Sequence, residues 1–305
     1  MNNANEFLFR CSSLGKIMTN PQGKGIREKI LDAEALIDKL TAEVAVAKPT
    51  LKTTQNKLAK IELLKVDLEN LKARKDEVNL SLTCRNYLID LFIETKYGRK
   101  KDLFSKYLEK GLLVEDDSLT LLSLTEKVFF EKNNVRLSND YVSGEPDTYI
   151  GQDIFRASVV YDTKSSWDLF TFSHSKYDDE INQDYYWQLQ GYSDLTGAAT
   201  LKLAYCLVNT PESLINAEMQ KLWHKLGQPQ DDFQPYYDGC RAIQKALTYD
   251  DIPKSERIKI FTIDRDEDAI ERMHQRVLEC RHYMNQTFFN HEIKRENNKS
   301  SQGVS

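Results

Sequence analysis

The chain has 305 residues, of which 40% are hydrophobic and 29% charged, and its formal net charge is −5. This length suits one large domain or one domain with an appendage. The negative charge argues against a protein coated in positive potential, although a local basic groove beside an acidic site is compatible with it. No apolar run of about 18 residues occurs, so we expect no membrane span.

The five cysteines are dispersed and odd in number, which favours a reduced protein. The first residues, MNNANEFLFRCSSLGK, lack the basic start and continuous apolar core of a secretory signal. We therefore expect a cytoplasmic protein. No Cys-x-x-Cys pair is present, so a zinc knuckle is not expected.

The segment from about residue 26 to 78 has the apolar spacing of two amphipathic helices. Apolar residues recur every three or four positions before Pro49, and the same spacing resumes at Leu58 and continues to Val78. A proline between two such stripes predicts a helical hairpin. Packing or oligomerisation is its expected role, because the lysines of the second helix alternate with acids; an arm that guides DNA is the alternative.

Helices and strands alternate after this hairpin. The stretch from residue 82 to 124 predicts two or more helices with a turn near Gly98. VRLSNDYVSG and FRASVVYDTKSS alternate like the two strands of a β-hairpin, with a turn at Pro146 and Gly151 between them. His174 is expected in a loop after this second strand region.

The last third of the chain follows the same alternation. A helix ends near Gly197 and is followed by the strand TLKLAYCLVN. The next helix has Thr210 as its predicted N-cap and closes at Gly227. The strand RIKIFTID then precedes a helix at about 267–285.

This order predicts an α/β fold of the mixed α+β kind, with a central mixed sheet flanked by helices. We expect an N-terminal part of the core at 1–25, an inserted helical hairpin at 26–80, the main core at 81–290 and a disordered tail at 291–305.

Charged residues stand at the end of the predicted strand FRASVVYDTKSS. Asp162 and Lys164 are two residues apart and therefore share a face of the strand, next to the apolar Val159 and Val160. Such a charged pair is costly unless it is used. Asp147 lies 15 residues earlier and can come beside Asp162 across the hairpin.

Two carboxylates on neighbouring strands form a hard oxygen site for Mg²⁺ or Mn²⁺. A lysine beside the metal can orient a water and offset charge on a phosphate. The combination favours metal-assisted cleavage of a phosphodiester. Each short motif alone is common on protein surfaces, and a salt-bridged structural cluster without metal is the alternative.

Two further features support a site here. Gly111 precedes Glu115 by one helical turn, a spacing that would let a helix approach the sheet and aim the acid at its edge. Gln188 and Tyr192 are at i and i+4 on one predicted helix face, where neutral hydrogen-bonding groups suit contact with a nucleic-acid backbone. The alternatives are an exposed helical acid and an ordinary amphipathic helix with aromatic residues in the core.

In chain order, GLLVE, GEPD, DTKSS and YYWQLQGY resemble the motifs of the PD-(D/E)XK nuclease superfamily. Within it they resemble the phage-type exonuclease group, which includes lambda exonuclease and the YqaJ-like viral recombinases. RCSSLGKIM resembles the segment that opens that domain. The resemblance covers about residues 10–18 and 97–209, so the helical hairpin lies outside it. It implies a restriction-endonuclease-like core.

The resemblance also implies roles for individual residues. Glu115, Asp147 and Asp162 would bind Mg²⁺, with Mn²⁺ as a possible substitute, and the backbone carbonyl of Thr163 would complete the shell. Lys164 would position or activate the attacking water. Asp162 replaces the glutamate of many members, which would shift the metal by about 1.5 Å.

Other residues would support the site or contact DNA. Gln188 would support the site or touch the scissile strand. The residues expected to bind DNA are Arg10, Ser12, Ser13, Lys16, Ser165 and Tyr192.

The resemblance implies a metal-dependent exonuclease that digests one strand of linear duplex DNA and leaves a 3′ overhang for recombination by single-strand annealing. Its expected partners are double-stranded DNA ends, a single-strand annealing protein and further copies of itself, in a bacterial host or a phage-infected cell. In-line attack without a covalent intermediate is expected, because no serine–histidine or cysteine–histidine arrangement stands out.

Two other functions stay open. One is a structure-specific or nicking endonuclease built on the same core. The other is a non-catalytic DNA-binding or assembly protein in which the helical hairpin is the working part.

Overall fold

A computed structural model of the protein describes residues 3–48, 50–75, 78–101, 105–230 and 233–289. The helices are α1 (Leu14–Met18), α2 (Ile26–Ala45), α3 (Lys52–Ala73), α4 (Leu82–Tyr97), α5 (Lys106–Leu113), α6 (Glu115–Glu126), α7 (Leu169–Tyr177), α8 (Gln183–Thr196), α9 (Glu212–Lys225), α10 (Gln234–Leu247) and α11 (Glu267–Met284). The strands are β1 (Phe9–Arg10), β2 (Leu137–Ser138), β3 (Val142–Gly144), β4 (Thr148–Gly151), β5 (Ala157–Ser165), β6 (Thr200–Cys206) and β7 (Ile258–Asp264).

The chain divides into two compact units. The sheet unit consists of Glu6–Gly15 and Lys100–His274. The helical unit consists of the described residues within Met1–Asn5, Lys16–Arg99 and Gln275–Ser305. The predicted domain boundaries stay predictions, and the predicted disordered tail at 291–305 lies outside the described residues. Within the described ranges, no helix is both long and apolar enough to cross a bilayer.

The helical unit contains the predicted hairpin. Helices α2 and α3 pack against each other and bury Leu40 and Ile61. Two ion pairs join them, Lys57 to Glu43 at 2.7 Å and Lys72 to Glu34 at 2.6 Å. The two predicted helices are therefore confirmed. Some of the lysines of α3 form ion pairs with acidic residues of α2.

Helix α4 ends as the sequence predicts, at Gly98, whose φ of 62° is left-handed. In the same unit the Sγ atoms of Cys84 on α4 and Cys280 on α11 are 3.6 Å apart, and both cysteines are buried. The ring of Phe92 stacks on that of Phe288 with centroids 4.6 Å apart. Thiol and aromatic contacts thus connect α4 to the end of α11.

The sheet unit contains two sheets. In the small one β1 pairs parallel with β3, and β3 pairs antiparallel with β2. In the larger one the order is β4-β5-β6-β7, with β5 and β6 parallel and both outer pairs antiparallel. The predicted mixed α/β fold with a central mixed sheet flanked by helices is confirmed.

The two faces of the larger sheet are covered by different helices. On one face, Tyr161 and Ala204 pack with Leu119 and Leu122 of α6 in the apolar core. The alternate residues of β5, such as Asp162, point to the other face of the sheet. That face is covered by α8, as the hydrogen bond from Gln188 to Asp162 shows. The period-two expectation that Asp162 and Lys164 share a face of β5 is consistent with their 2.6 Å ion pair.

The predicted β-hairpin is wrong in one strand. Val142–Gly144 forms β3 and belongs to the small sheet, while the partner of β5 is β4, which begins directly after Asp147. Pro146 has no N–H to donate and so interrupts a strand at this point. The chain therefore leaves one sheet before Pro146 and enters the other after it.

Two helix predictions also need correction. Thr210 is not the N-cap of α9, because Pro211 precedes the helix and no side chain caps it. The Thr210 N–H instead donates to the carbonyl of Leu247 at 2.9 Å. His174 is not in a loop but in α7, which is capped by Asp168.

Candidate active site

Asp147 and Asp162 come together through the pairing of β4 with β5. Thr148 is opposite Tyr161 in this pair, and the Asp147 N–H donates to the Tyr161 carbonyl at 3.1 Å. Asp147 Oδ2 accepts hydrogen bonds from the backbone N–H of Thr163 at 2.6 Å and from its hydroxyl at 2.8 Å. Asp147 thus lies directly before β4, beside the strand that carries Asp162.

The closeness of these acids changes the pKa of Asp147. Burial of the carboxylate, and next the charge of Asp162, raise the pKa of Asp147 to about 6, against an ordinary value of 3.8. Hydrogen bonds from Thr163 and the charge of Lys164 only partly oppose this rise. Asp147 therefore holds a proton more readily than an ordinary aspartate does.

Lys164 provides the opposing positive charge. Its Nζ lies 2.6 Å from Asp162 Oδ2, and it also lies over the ring of Tyr185, 5.0 Å from the centroid. Burial alone would lower the pKa of Lys164, but Asp162 and Asp147 hold it above its ordinary value. Lys164 is therefore an ammonium group at neutral pH, which can orient a water or a phosphate but cannot accept a proton.

Gln188 fixes the other oxygen of Asp162. Its Nε2 donates to Asp162 Oδ1 at 2.8 Å and to the Tyr192 hydroxyl at 2.8 Å. Gln188 is 5% exposed and Asp162 is 2% exposed. Among the described residues, Asp162 Oδ2 has no donor in hydrogen-bonding geometry, so its contact with Lys164 is an ion pair only. Gln188 thus supports the acid, and its predicted contact with a scissile strand stays a prediction.

Tyr192 lies beneath this acid. Burial, and next the charge of Asp162, raise the pKa of Tyr192 well above its ordinary value, so its hydroxyl keeps its proton. It accepts from Gln188 and is 5% exposed. This position gives it a supporting role, and direct contact with DNA stays a prediction.

Close packing holds α8 in this position. A Cβ on Gly191 would lie 2.5 Å from Leu14 Cδ1 and 2.9 Å from Cys11 Sγ, and one on Gly144 would lie 2.8 Å from Tyr192 Cε1. Neither approach leaves room for a larger residue. The two glycines therefore bring α8, β3 and the turn at Cys11–Ser13 into direct contact.

The residues expected to bind DNA are placed in three different surroundings. Arg10 and Ser12 are exposed in the sheet unit, and Ser13 is partly buried beside them. Lys16 belongs to the helical unit, where its ammonium lies 5.4 Å from the centre of the Tyr87 ring. Ser165 forms a 2.8 Å hydrogen bond with a serine of α6, Ser118. Their contacts with DNA stay predictions.

Glu115 is the first residue of α6, and its Oε2 pairs with Lys132 Nζ at 2.7 Å. The expected role of Gly111 in bringing this acid to the sheet is wrong. Gly111 lies in the separate helix α5, and nothing is within 4 Å of a Cβ placed on it. Val114 separates the two helices, and Glu115 begins the second of them.

The sequence did not indicate Lys132 or its neighbour Asn133. The Asn133 N–H donates to the Asp147 carbonyl at 2.8 Å, and its Nδ2 donates to the Pro146 carbonyl at 2.9 Å. The Thr148 hydroxyl donates to the carbonyl of Glu131 at 2.7 Å. These bonds place Lys132 beside Asp147. They occur in an irregular segment whose polar letters, EKNN, indicate only a turn.

The electrostatics of Lys132 agree with this position. The hydrogen bond with Glu115 raises the pKa of Lys132, and the charges of Asp116 and Asp147 add to the rise. Lys132, in its pair with Glu115, thus lies close enough to Asp147 to feel its charge.

The strand acids suit a hydrated divalent cation. Asp147 and Asp162 are hard oxygen donors of the kind that Mg²⁺ and Mn²⁺ prefer. No group of three or more His, Cys, Asp or Glu side chains is arranged to hold a metal within the described part of the chain. Mg²⁺ commonly keeps several waters and needs only one or two carboxylates. Glu115 and the Thr163 carbonyl as further ligands stay predictions.

Comparison with known proteins identifies the fold. No protein-family profile and no curated protein matches the chain. The chain has the fold of a phage-type exonuclease. One match is to a phage related exonuclease from Haemophilus somnus 129PT, with a TM-score of 0.59 and 21% identity over 94% of this chain and 97% of that one.

The alkaline exonuclease LHK-Exo from Laribacter hongkongensis also matches, alone and in complex with dAMP. The TM-scores are 0.47 and 0.46, with 12% identity over 73% of this chain and 87% of each of those chains.

Proposed function

We propose that this protein is a metal-dependent deoxyribonuclease that digests one strand of linear duplex DNA from an end. The observation that carries the proposal is the Asp147–Asp162–Lys164 cluster, with Gln188 holding Asp162, in a fold shared with a phage-related exonuclease. Mg²⁺ or Mn²⁺ would supply Lewis-acid stabilisation of the phosphate and an activated water.

The chain's own residues have separate tasks in this proposal. Asp147 and Asp162 would hold the cation, with Thr163 keeping Asp147 in place and Gln188 keeping Asp162 in place. Lys164 would orient the attacking water and offset charge that develops on the phosphate. Direct in-line attack needs no nucleophilic side chain.

A purely structural ion cluster explains the charges less well. Two carboxylates and one ammonium leave one negative charge in partly buried surroundings, and an uncompensated buried charge destabilises a fold. Replacing the cluster with apolar residues would serve stability better. The excess charge therefore favours a bound cation and, with it, catalysis.

The products and partners follow from the proposed activity. Digestion of one strand from an end would leave a 3′ overhang, which a single-strand annealing protein could coat for recombination. Assembly of several copies around duplex DNA belongs to the same proposal. A substrate labelled at either the 5′ or the 3′ end would show which strand is removed.

The first test uses a 5′-labelled linear duplex and a covalently closed circle, each incubated with the protein and Mg²⁺ or Mn²⁺. We expect nucleotides to be released from the linear DNA only, and EDTA to stop the reaction. Asp162→Asn should lower the rate by about 10³-fold, because a charged group at the reacting centre is lost. Asp179→Asn, which changes an exposed acid, should leave it unaltered.

The other outcomes separate the alternatives. Cutting of the closed circle would favour a nicking or structure-specific endonuclease. No cleavage of either DNA by folded protein, together with DNA binding, would favour the non-catalytic role and overturn the proposal.

A further inference from the structure

We propose that Lys132 is a phosphate-binding residue of the candidate site. Glu115 pairs with Lys132 until the Glu115 carboxylate turns towards the cation. The inference rests on the proposed function and adds a residue that no motif indicates. It also predicts that cation binding and DNA binding strengthen each other through one exchangeable ion pair.

The first argument is position. Backbone and side-chain hydrogen bonds tie residues 131–133 to residues 146–148, so Lys132 is held beside Asp147 by its neighbours on both sides. The side chain of Asn133 is 5% exposed and anchors this contact through Pro146 and Val135. The backbone of Lys132 therefore stays next to Asp147 even when its own side chain moves.

The second argument is freedom of the side chain. In the ion pair, the Lys132 side chain is 40% exposed and that of Glu115 is 23% exposed. By contrast, Lys164 is 28% exposed and its partner Asp162 only 3%. Exposed ion pairs contribute little to stability and are readily exchanged. The Glu115–Lys132 pair can therefore open, whereas the Asp162 contacts are set by the fold.

The third argument is access. Lys132 borders an open groove of about 700 Å³ on the α6 side of the sheet unit, together with Thr120, Phe129 and Asn134. Phe129 is 83% exposed in this groove. Neither Asp147 nor Asp162 lines this groove, so the groove shows that the Lys132 ammonium is open to a phosphate ligand from the α6 side. Lysine commonly binds phosphate as a point charge.

The consequence is an exchange of partners. When Glu115 contributes an oxygen to the cation beside Asp147, its hydrogen bond with Lys132 is lost. The Lys132 ammonium then donates to a non-bridging oxygen of the phosphate. The negative charge of the phosphate thus takes the place of the Glu115 carboxylate as the partner of Lys132. By linkage, DNA that draws Lys132 away from Glu115 tightens cation binding by the same factor.

The test measures binding rather than cleavage. Mn²⁺ binding to the full chain is followed by calorimetry without DNA, and binding to a short duplex is followed in EDTA and in Ca²⁺ at several salt concentrations, with a check that the DNA stays intact. In Lys132→Gln we expect the Mn²⁺ dissociation constant to fall about two- to fivefold, since an exposed pair no longer competes for Glu115. The same variant should weaken DNA binding in Ca²⁺ and lower the salt slope by about one.

Matched variants distinguish this role from loss of charge in general. Lys202→Gln removes an ammonium that pairs with Glu126 at 2.6 Å, at the opposite end of the same helix α6. It should change neither the Mn²⁺ constant nor the salt slope. Lys132→Arg should restore DNA binding, and Glu115→Gln should strengthen DNA binding in EDTA because Lys132 is released.

Each remaining result has a defined meaning. If Lys132→Gln binds Mn²⁺ and DNA like the wild type while the wild type cleaves DNA, the role of Lys132 is overturned and the proposed function stands. Tighter Mn²⁺ binding with unchanged DNA binding would reduce Lys132 to a competitor for Glu115 and overturn the phosphate contact. A wild type that neither binds Mn²⁺ nor cleaves DNA would overturn both proposals.

Discussion

The strand side and the helix side of the candidate site are built differently. On the strand side, Asp147 and Asp162 are fixed by strand register, by Thr163 and by Gln188. On the helix side, Glu115 has one ion pair with Lys132, and both side chains are partly exposed. The strand acids are therefore placed by folding itself. The helix acid can change partners after folding is complete.

The largest expected difference between the two sides concerns pH and stability. Asp147 has a folded pKa of about 6 against an ordinary 3.8, so the folded protein holds this proton more tightly than the unfolded chain. Stability without metal therefore falls as pH rises from about 4 to about 6, and the loss is complete above that window. The full shift corresponds to about 3 kcal/mol, and partial exposure lowers the expected effect to about 1–3 kcal/mol.

Asp147→Asn removes this penalty. We expect the variant to be more stable than the wild type by about 1–3 kcal/mol at pH 7.5 in EDTA. The difference should shrink as pH is lowered towards 4, where the wild-type carboxyl is itself neutral. Urea unfolding between pH 5 and 8 measures it. A constant difference across this range would contradict the pKa argument.

Glu115→Gln is the control from the helix side. Its partner is exposed, so the free energy of unfolding should change by no more than about 1 kcal/mol. If Glu115→Gln and Asp147→Asn had equal effects with equal pH dependence, the contrast between fixed and exchangeable acids would be lost.

The second prediction concerns the hydrogen bonds beneath Asp162. Gln188→Ala leaves two buried acceptors, Asp162 Oδ1 and the Tyr192 hydroxyl, without their donor. We expect a loss of about 2 kcal/mol in unfolding free energy and a 10- to 100-fold loss of cleavage rate. Tyr192→Phe keeps the bond from Gln188 to Asp162 and should cost about 1 kcal/mol with a smaller rate effect.

Urea unfolding and single-turnover cleavage measure the two variants together. A Gln188→Ala protein with unchanged cleavage would show that Asp162 is held without Gln188. A Tyr192→Phe protein with the larger rate loss would instead give Tyr192 the more direct role.

The sequence predicted the parts of this site that lie on regular elements. The period of two identified Asp162 and Lys164 on β5, and the i, i+4 spacing identified Gln188 and Tyr192 on α8. Lys132 was missed because an irregular segment has no period, and it is connected to Asp147 through hydrogen bonds of its neighbours.

Two other errors have different causes, one in distant strand pairing and one in a local helix cap. Val142–Gly144 alternates like a strand and is one, but which strand it pairs with depends on the distant β1. The aromatic stretch of α7 resembles a strand, and only the Asp168 cap, whose Oδ1 accepts from the Thr171 N–H at 2.8 Å, marks a helix start. Such a cap is visible in the sequence, so α7 could have been predicted.

The smallest expected effect tests how the helices on the two sides are packed. Gly111 in α5 has open space around it, so Gly111→Ala gains helix propensity and should raise the unfolding free energy by about 0.5–1 kcal/mol. Gly191 in α8 faces Leu14 and Cys11 at distances that exclude a methyl group. Gly191→Ala should therefore lower the unfolding free energy by about 1–3 kcal/mol.

Cleavage rates extend this test to function. Gly111→Ala should cleave DNA at the wild-type rate, because an added methyl group there meets no neighbouring atom within 4 Å. Gly191→Ala should lose rate beyond its loss of stability, since a displaced α8 moves Gln188 away from Asp162. A rate loss in Gly111→Ala, measured at a temperature where both variants are folded, would contradict the open surroundings of Gly111. It would support the sequence prediction that Gly111 lets its helix approach the sheet. Equal rates in both variants would show that α8 can shift without moving the strand acids, which would place the rigidity of the site in the sheet alone.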